Sequence, residues 1–169
     1  LYLGRAADAR ARFEVESRSA GEPASRARVL ALVGMAAQRG GDAAAAHAAY
    51  KEALELARRA GDVHGAAVYA ANLGAAEADR GFFAPALELL AAAVRDLARL
   101  GQTAEWAYAI YNHGALLERL GDAEGARRLA ARAAEAGSRA GAALLRGFSA
   151  LLAGDLAARQ GELASAEDA

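Results

Sequence analysis

The fold is decided by residues 41–81, which read GDAAAAHAAYKEALELARRAGDVHGAAVYAANLGAAEADRG. Glycine stands at the start, the middle and the end of this stretch, and the same spacing of 20 residues continues in both directions. The full series is Gly21, Gly41, Gly61, Gly81, Gly101, Gly121, Gly141 and Gly161. Because glycine fills only 18 of the 169 positions, an unbroken series of this kind indicates a stack of similar structural repeats.

Each segment between two of these glycines has the periodicity and the punctuation of an α-helix. In 42–60, the small and apolar residues Ala46, Tyr50 and Ala53 recur at spacings of three and four, which places them on one helix face. Asp42 can cap the amino end of this helix, and Gly61 directly after a basic last turn is a typical helix stop. We expect helices near 3–19, 25–39, 43–60, 64–80, 84–100, 103–119, 123–139, 142–159 and from 162 onward.

Two further series repeat every 40 residues and indicate that consecutive helices form pairs. They are Gly34, Gly74, Gly114 and Gly154 on the first helix of each pair, and Ala46, Ala86, Ala126 and Ala166 on the second. Small residues at fixed places on both helices allow close antiparallel packing. We therefore expect an all-α fold with one array over 1–169, made of a partial unit 1–21, units at about 22–61, 62–101 and 102–141, and a partial unit 142–169.

The composition agrees with an all-helical chain and excludes several classes of partner. Alanine is the commonest residue and only two prolines are present, so little material favours strands. The 20 basic and 21 acidic residues leave a net charge of −1, without the basic excess of a nucleic-acid-binding protein. The longest uncharged run, 63–76, is shorter than the ~20 residues that span a bilayer. We expect a cytoplasmic protein without a membrane partner, and the start at Leu1 rather than Met predicts a piece of a longer chain.

The sequence lacks the motifs that carry enzyme chemistry. No phosphate-binding loop is present, and the residues around Ser149 lack the second glycine of a nucleophile elbow. His47, His64 and His113 have no ligand partners at metal-binding spacing, and cysteine is absent. We interpret His47 and His113 as surface residues and place His64 at a helix start. We therefore expect no catalytic residue, no metal, no cofactor and no enzymatic activity.

Three matching stretches of the helix pairs point to a known family. They are Leu32-Val33-Gly34 with Gly41, Ala46, Tyr50 and Ala53, then Asn72-Leu73-Gly74 with Gly81, Ala86 and Ala93, and Asn112-His113-Gly114 with Gly121, Ala126 and Ala133. In these motifs the chain resembles the tetratricopeptide repeat family in a 40-residue form. The resemblance implies a solenoid of antiparallel helix pairs, an α-α superhelix with a concave inner surface. The usual aromatic residues of the first helix and the closing proline are missing.

Asn72 and Asn112 occupy equivalent positions two residues before the packing glycines. The resemblance implies that such asparagines line the concave surface and bind the backbone of an extended peptide, and an amide can both donate to and accept from any peptide group. Leu32 and Leu152 at the matching positions predict apolar ends to this surface. The other residues that we assign to partner binding are Gln38, Arg39, Asp79, Tyr108, Tyr111, Glu118 and Arg119.

Three residue assignments and the exact function stay open at this point. The asparagines can equally be solvated, Tyr111 can be a core residue, and Trp106 either packs at the start of its helix or is an exposed anchor. We expect a non-enzymatic scaffold that binds a peptide or a partner helix in the concave groove and, by analogy with the family, belongs to a larger bacterial regulatory or signalling protein. The alternatives are a ligand- or peptide-sensing module that controls attached domains, and an element that self-associates through the ends of the array.

Overall fold

The structure is a computed structural model that describes residues 11, 15, 22–101, 103–139, 143, 146–147, 149–154 and 156–158. In these ranges it contains helices and turns but no β-strand, so the all-α fold class is confirmed. Within the same ranges, no helix combines the length and the apolar character needed to cross a bilayer.

Six helices of the described ranges have defined bounds: α1 Pro23–Arg39, α2 Ala43–Arg59, α3 Val63–Asp79, α4 Phe83–Leu100, α5 Thr103–Arg119 and α6 Ala123–Arg139. They agree with the predicted helices to within a residue or two. Helical residues continue at 143, 146–147, 149–154 and 156–158, which we call the C-terminal segment. Residues 11 and 15 are helical, whereas the predicted helix from 162 onward and Gly21, Gly141 and Gly161 lie outside the described residues.

The turn between consecutive helices depends on a glycine with positive φ. At the end of α1, Gly41 has φ +79°, and its N–H donates to the carbonyl of Gln38 over 3.0 Å. The N–H of Asp42 donates to the carbonyl of Ala37 over 2.9 Å, which completes a Schellman motif. The Asp42 carboxylate then caps α2 by accepting from the N–H of Ala45 over 2.9 Å. A turn this short reverses the chain, so consecutive helices pack antiparallel.

The same turn recurs along the chain and confirms the predicted helix stops. Glycines with positive φ also stand at Gly61, Gly81, Gly101 and Gly121. The carboxylates of Asp62 and Asp122 accept from the N–H groups of Gly65 and Gly125, each over 2.8 Å. The five described glycines of the series are therefore left-handed helix termini, a conformation that residues with a Cβ rarely adopt.

The chain divides into two compact units, Leu1–Ala93 and Val94–Ala169, with the division inside α4. In the first unit, α1 packs on α2, α2 packs on α3, and α1 also contacts α3. In the second unit, α5 packs on α6.

The glycine of each first helix lies where a large side chain of the neighbouring helix crosses it. A Cβ on Gly34 would lie 2.6 Å from Cε1 of Tyr50, and a Cβ on Gly74 would lie 2.8 Å from Cγ of Leu90. Tyr50 and Leu90 hold the same position in the second helix of their pairs, and both are fully buried. These contacts confirm the predicted close packing within the first two helix pairs.

The third helix pair departs from this pattern because its second helix is rich in small residues. Ala130 stands at the position of Tyr50 and Leu90, so a single methyl group replaces their large side chains there. Leu152 of the C-terminal segment packs against Gly114 instead, in a cluster with Ala126, Ala130 and Leu156. Leu152 is 1% exposed, so its prediction as an apolar end of the binding surface was wrong.

Among the described glycines of this series, Gly114 is the last one against which a neighbouring side chain packs. Gly154 is exposed, and no described atom lies within 4 Å of the place where its Cβ would be. Its expected packing partner, the helix from 162 onward, lies outside the described residues.

Candidate functional site

The predicted binding residues of the first unit lie on α1 and α3, and two of them contact each other. Nε2 of Gln38 donates to Oδ2 of Asp79 over 2.8 Å, which links α1 to α3. The hydroxyl of Tyr50, a residue that is only 1% exposed, donates to Oε1 of Gln38 over 3.2 Å. The Gln38 amide is therefore held between a buried phenol and an exposed carboxylate, which restrains the orientation of both Gln38 and Asp79.

Asn72 lies half-buried on α3, and its side chain makes no hydrogen bond to another described residue. The matching position of α1 carries Leu32, which is 39% exposed, and Met35 on the same helix face is 36% exposed. Arg39 and Asp79 lie at matching positions near the ends of the two helices, and both are exposed. We call these five residues, Leu32, Met35, Arg39, Asn72 and Asp79, the α1–α3 face.

The predicted binding residues of the second unit all lie on α5. Asn112 is half-buried, and its Nδ2 donates to the carbonyl of Tyr108 over 3.1 Å, so part of its hydrogen-bonding capacity is used by its own helix. Tyr111 is partly buried against the core cluster that contains Leu152, so it contributes to packing. Glu118 is half-buried and Arg119 is exposed. Asn72 is therefore the more available of the two asparagines.

His113 differs from its predicted surface position. It is half-buried, and its Nδ1 is enclosed without a hydrogen-bond partner among the described residues. Burial, with a further contribution from the positive charge of Arg95, lowers the pKa of His113 below its usual value. The matching residues Val33 and Leu73 are buried apolar side chains, so the register of the repeat rather than the polarity of histidine decides this location.

The other two histidines belong to the first unit, and His47, like His113, is half-buried rather than on the surface as predicted. His64 is exposed at the second position of α3, as predicted. Nε2 of His47 lies 3.0 Å from Oε1 of Glu77, whose other oxygen lies 3.0 Å from Nη1 of Arg80. The Arg80 guanidinium also lies 4.7 Å from the centre of the Phe82 ring. Glu77 thus links His47 and Arg80 in one polar network, and the described residues contain no group of three or more potential metal ligands.

Trp106 packs at the start of α5, which decides between its two open interpretations. It lies partly buried against the cluster of Ala107, Ile110, Leu129 and Ala133. Its Nε1 is enclosed without an acceptor among the described residues. Trp106 is thus a packing residue of the second unit.

The second unit also contains a groove that sequence reasoning missed. It lies between α6 and the C-terminal segment and has a volume of about 490 Å³. Its lining consists of Arg127, Ala130, Ala131, Ala134, Ser138, Arg146, Ser149, Ala150, Ala153, Leu156 and Ala157, and we call it the alanine groove. The repeat did contain a sign of this groove, because the small residue Ala134 stands where the earlier units carry the larger Leu54 and Val94.

The sequence matches no protein-family model, and no curated protein is significantly similar to it. The surfaces of the two units are therefore the basis for inferring what the chain binds. The candidates are the α1–α3 face of the first unit and the alanine groove of the second.

Proposed function

We propose that this chain is a non-enzymatic protein-interaction module that binds an extended peptide of a partner protein along the α1–α3 face. The observation that carries the proposal is the side chain of Asn72, a half-buried amide without a hydrogen bond to another described residue, on a face where Leu32 and Met35 are exposed. The resemblance to tetratricopeptide repeats supports the same function, and with it a place in a larger bacterial regulatory protein in the cytoplasm.

The chemistry of the face suits a peptide backbone with apolar side chains. The amide of Asn72 can accept from one peptide N–H and donate to a carbonyl, whatever side chain the peptide carries there. Leu32 and Met35 offer apolar area, and methionine is enriched at binding surfaces. Alanine takes the Met35 position in α3, as the buried Ala75, so the apolar area of the face lies on α1.

The charged end of the face is restrained before any partner binds. The Gln38 amide donates a hydrogen bond to Asp79 and accepts one from the hydroxyl of the buried Tyr50. Groups that are already ordered lose less conformational entropy on binding, which favours affinity. Arg39 and Asp79 carry opposite charges at matching positions of α1 and α3 and would favour one direction of the peptide.

The test is a selection of phage-displayed random peptides on the whole chain, followed by affinity measurement on purified variants. Asn72→Ala should weaken the selected peptides about tenfold, the ~1.4 kcal/mol expected from one or two hydrogen bonds. Leu32→Ala should weaken them as well. Lys51→Ala is the matched control, because Lys51 is exposed on α2 outside the face. Circular dichroism checks that all variants keep equal helicity.

Two results would overturn the proposal. One is the absence of any enriched peptide, and the other is equal affinity of the peptides for wild type and Asn72→Ala.

A further inference from the structure

We infer that a cavity between the end of α4, α5 and α6, which we call the arginine pocket, binds a small aromatic carboxylate, a molecule with a single ring and one negative charge. The pocket has a volume of about 210 Å³, and all the residues that line it belong to the second unit. The α1–α3 face lies in the first unit, and none of the binding residues that we predicted on α5 is among the lining residues. The inference is therefore independent of the proposed function. The alanine groove, by contrast, is the place to which the repeat assigns the predicted helix from 162 onward, so we assign no ligand to it.

The floor of the arginine pocket is apolar. Ile110 of α5 and Leu129 of α6 line it, and both are buried in one core cluster. Val94 and Trp106 also line it and lie half-buried against the same cluster. Because Nε1 of Trp106 is enclosed, the indole ring rather than its N–H is available to a ligand, and such a ring favours contact with another aromatic ring.

The volume of the pocket limits the size of the ligand. An apolar cavity of about 150 Å³ is enough to hold benzene, whereas drug-sized ligands occupy pockets of about 300–1,000 Å³. At about 210 Å³, the arginine pocket has room for one aromatic ring with a short substituent.

The rim of the pocket carries three arginines from two helices. Arg95 and Arg99 lie one turn apart on α4, Arg132 lies on α6, and all three are exposed. Nη1 of Arg99 lies 3.6 Å from Oδ1 of Asp96. Arg95 and Arg132 form no hydrogen bond or ion pair with another described residue. Two guanidinium groups beside an apolar floor thus have no counter-ion in the described part of the chain, and guanidinium binds carboxylate through two parallel hydrogen bonds.

The positive charge of Arg95 also acts inside the second unit. Burial is the larger cause of the lowered pKa of His113, and the charge of Arg95 lowers that pKa further. A carboxylate beside Arg95 would offset this effect. The charge of Arg95 is therefore available to an anionic ligand.

The basic rim does not follow from the packing of the repeat. Glu55 and Glu135 stand 40 residues before and after Arg95, so the matching positions carry the opposite charge. Ala92 stands 40 residues before Arg132. The same helices thus form elsewhere with glutamate or alanine at these places, and the accumulation of arginine is particular to this pocket.

The test titrates the whole chain with benzoate and follows the fluorescence of Trp106. Trp106 is the single tryptophan of the sequence and lines the pocket, so the signal reports on this site. Benzoate should give a saturable change that weakens as salt is added, because exposed charges are screened. Benzyl alcohol, which keeps the ring without the charge, and acetate, which keeps the charge without the ring, should each bind at least about tenfold more weakly.

Two substitutions at exposed positions remove the charge of the rim without disturbing the floor. Arg95→Glu, which copies the matching residues Glu55 and Glu135, and Arg132→Gln should each weaken benzoate by at least about tenfold. Arg128→Gln is the matched control, because Arg128 is exposed on α6 outside the lining, and it should leave the affinity unchanged. Circular dichroism checks that the variants keep the helicity of wild type.

Four results would overturn the inference. They are the absence of a saturable change with benzoate, equal affinity for benzoate and benzyl alcohol, equal affinity of wild type and Arg95→Glu for benzoate, and inorganic phosphate that binds as tightly as benzoate. The last result would identify a site for any anion at the rim, in which the apolar floor has no part.

Discussion

Alanine substitutions at two adjacent glycines, Gly40 and Gly41, should have opposite effects on stability. Gly40 has φ −81° and ψ −2°, an ordinary right-handed conformation, and Ala60 occupies the matching place after α2 with φ −79° and ψ −6°. Gly41 has φ +79°, and apart from its chain neighbours no described residue has an atom within 4 Å of the place where its Cβ would be. The substitution at Gly41 therefore tests backbone conformation without a steric clash against other residues.

The magnitude follows from two contributions. Alanine restricts the unfolded chain, which stabilises the folded state by about 0.4–1 kcal/mol where the backbone conformation is compatible, as it is at Gly40. At Gly41 the left-handed conformation costs an alanine about 1–2 kcal/mol. The unfolded-state contribution is nearly the same for both neighbours and cancels in the comparison. Gly41→Ala should thus be less stable than Gly40→Ala by about 1–2 kcal/mol.

Urea unfolding followed by far-ultraviolet circular dichroism measures this difference directly. For a chain of this length, 1.5 kcal/mol corresponds to a separation of melting temperatures of about 3–6 °C. Both glycines lie in the first unit, so they report on the same part of the molecule. Equal stability of the two variants would refute the assignment of Gly41 as a left-handed helix terminus, and with it the physical explanation of the whole glycine series.

Three further substitutions test packing, burial and capping. Gly74→Leu should destabilise by about 1–3 kcal/mol, because even a Cβ would lie 2.8 Å from Cγ of Leu90, and an unchanged melting temperature would contradict the close helix packing. His113→Leu, which copies Leu73, should stabilise by about 1–2 kcal/mol by removing the enclosed Nδ1. Because the folded state lowers the pKa of His113, the unfolded chain binds more protons, so wild-type stability should fall as the pH drops below about 6.5. The His113→Leu variant should lose less stability than wild type over that pH range. Equal pH profiles of the two melting temperatures would refute the lowered pKa of His113. Gly125→Ala should stabilise by about 0.5–1 kcal/mol, because the Asp122 carboxylate that the new Cβ would meet can turn aside, as the carboxylate of Asp42 does beside Ala45, and a lower urea midpoint would count against it.

The candidate sites could be predicted from the sequence only in part. The placement of Asn72 on the face of a first helix follows from its spacing to Gly74, and the structure leaves its amide without a bond to another described residue. The hydrogen bond between Gln38 and Asp79 was not predictable, because it depends on how closely α1 approaches α3. The alanine groove was missed for the same reason. A groove is a property of two helices, and each of its walls by itself looks like an ordinary alanine-rich segment.

What the sequence by itself determined is the local structure. The bounds of the helices, the left-handed glycines and the caps of Asp42, Asp62 and Asp122 all follow from interactions within a few residues, so a single linear pattern contains them. What only the tertiary structure decided is which distant side chain fills each space. The side chain that packs closest to Gly114 is Leu152, not Ala130 at the matching position of the repeat. The reason is that core packing depends on the volumes of the side chains that meet in space, and those volumes do not follow from the spacing of the repeat.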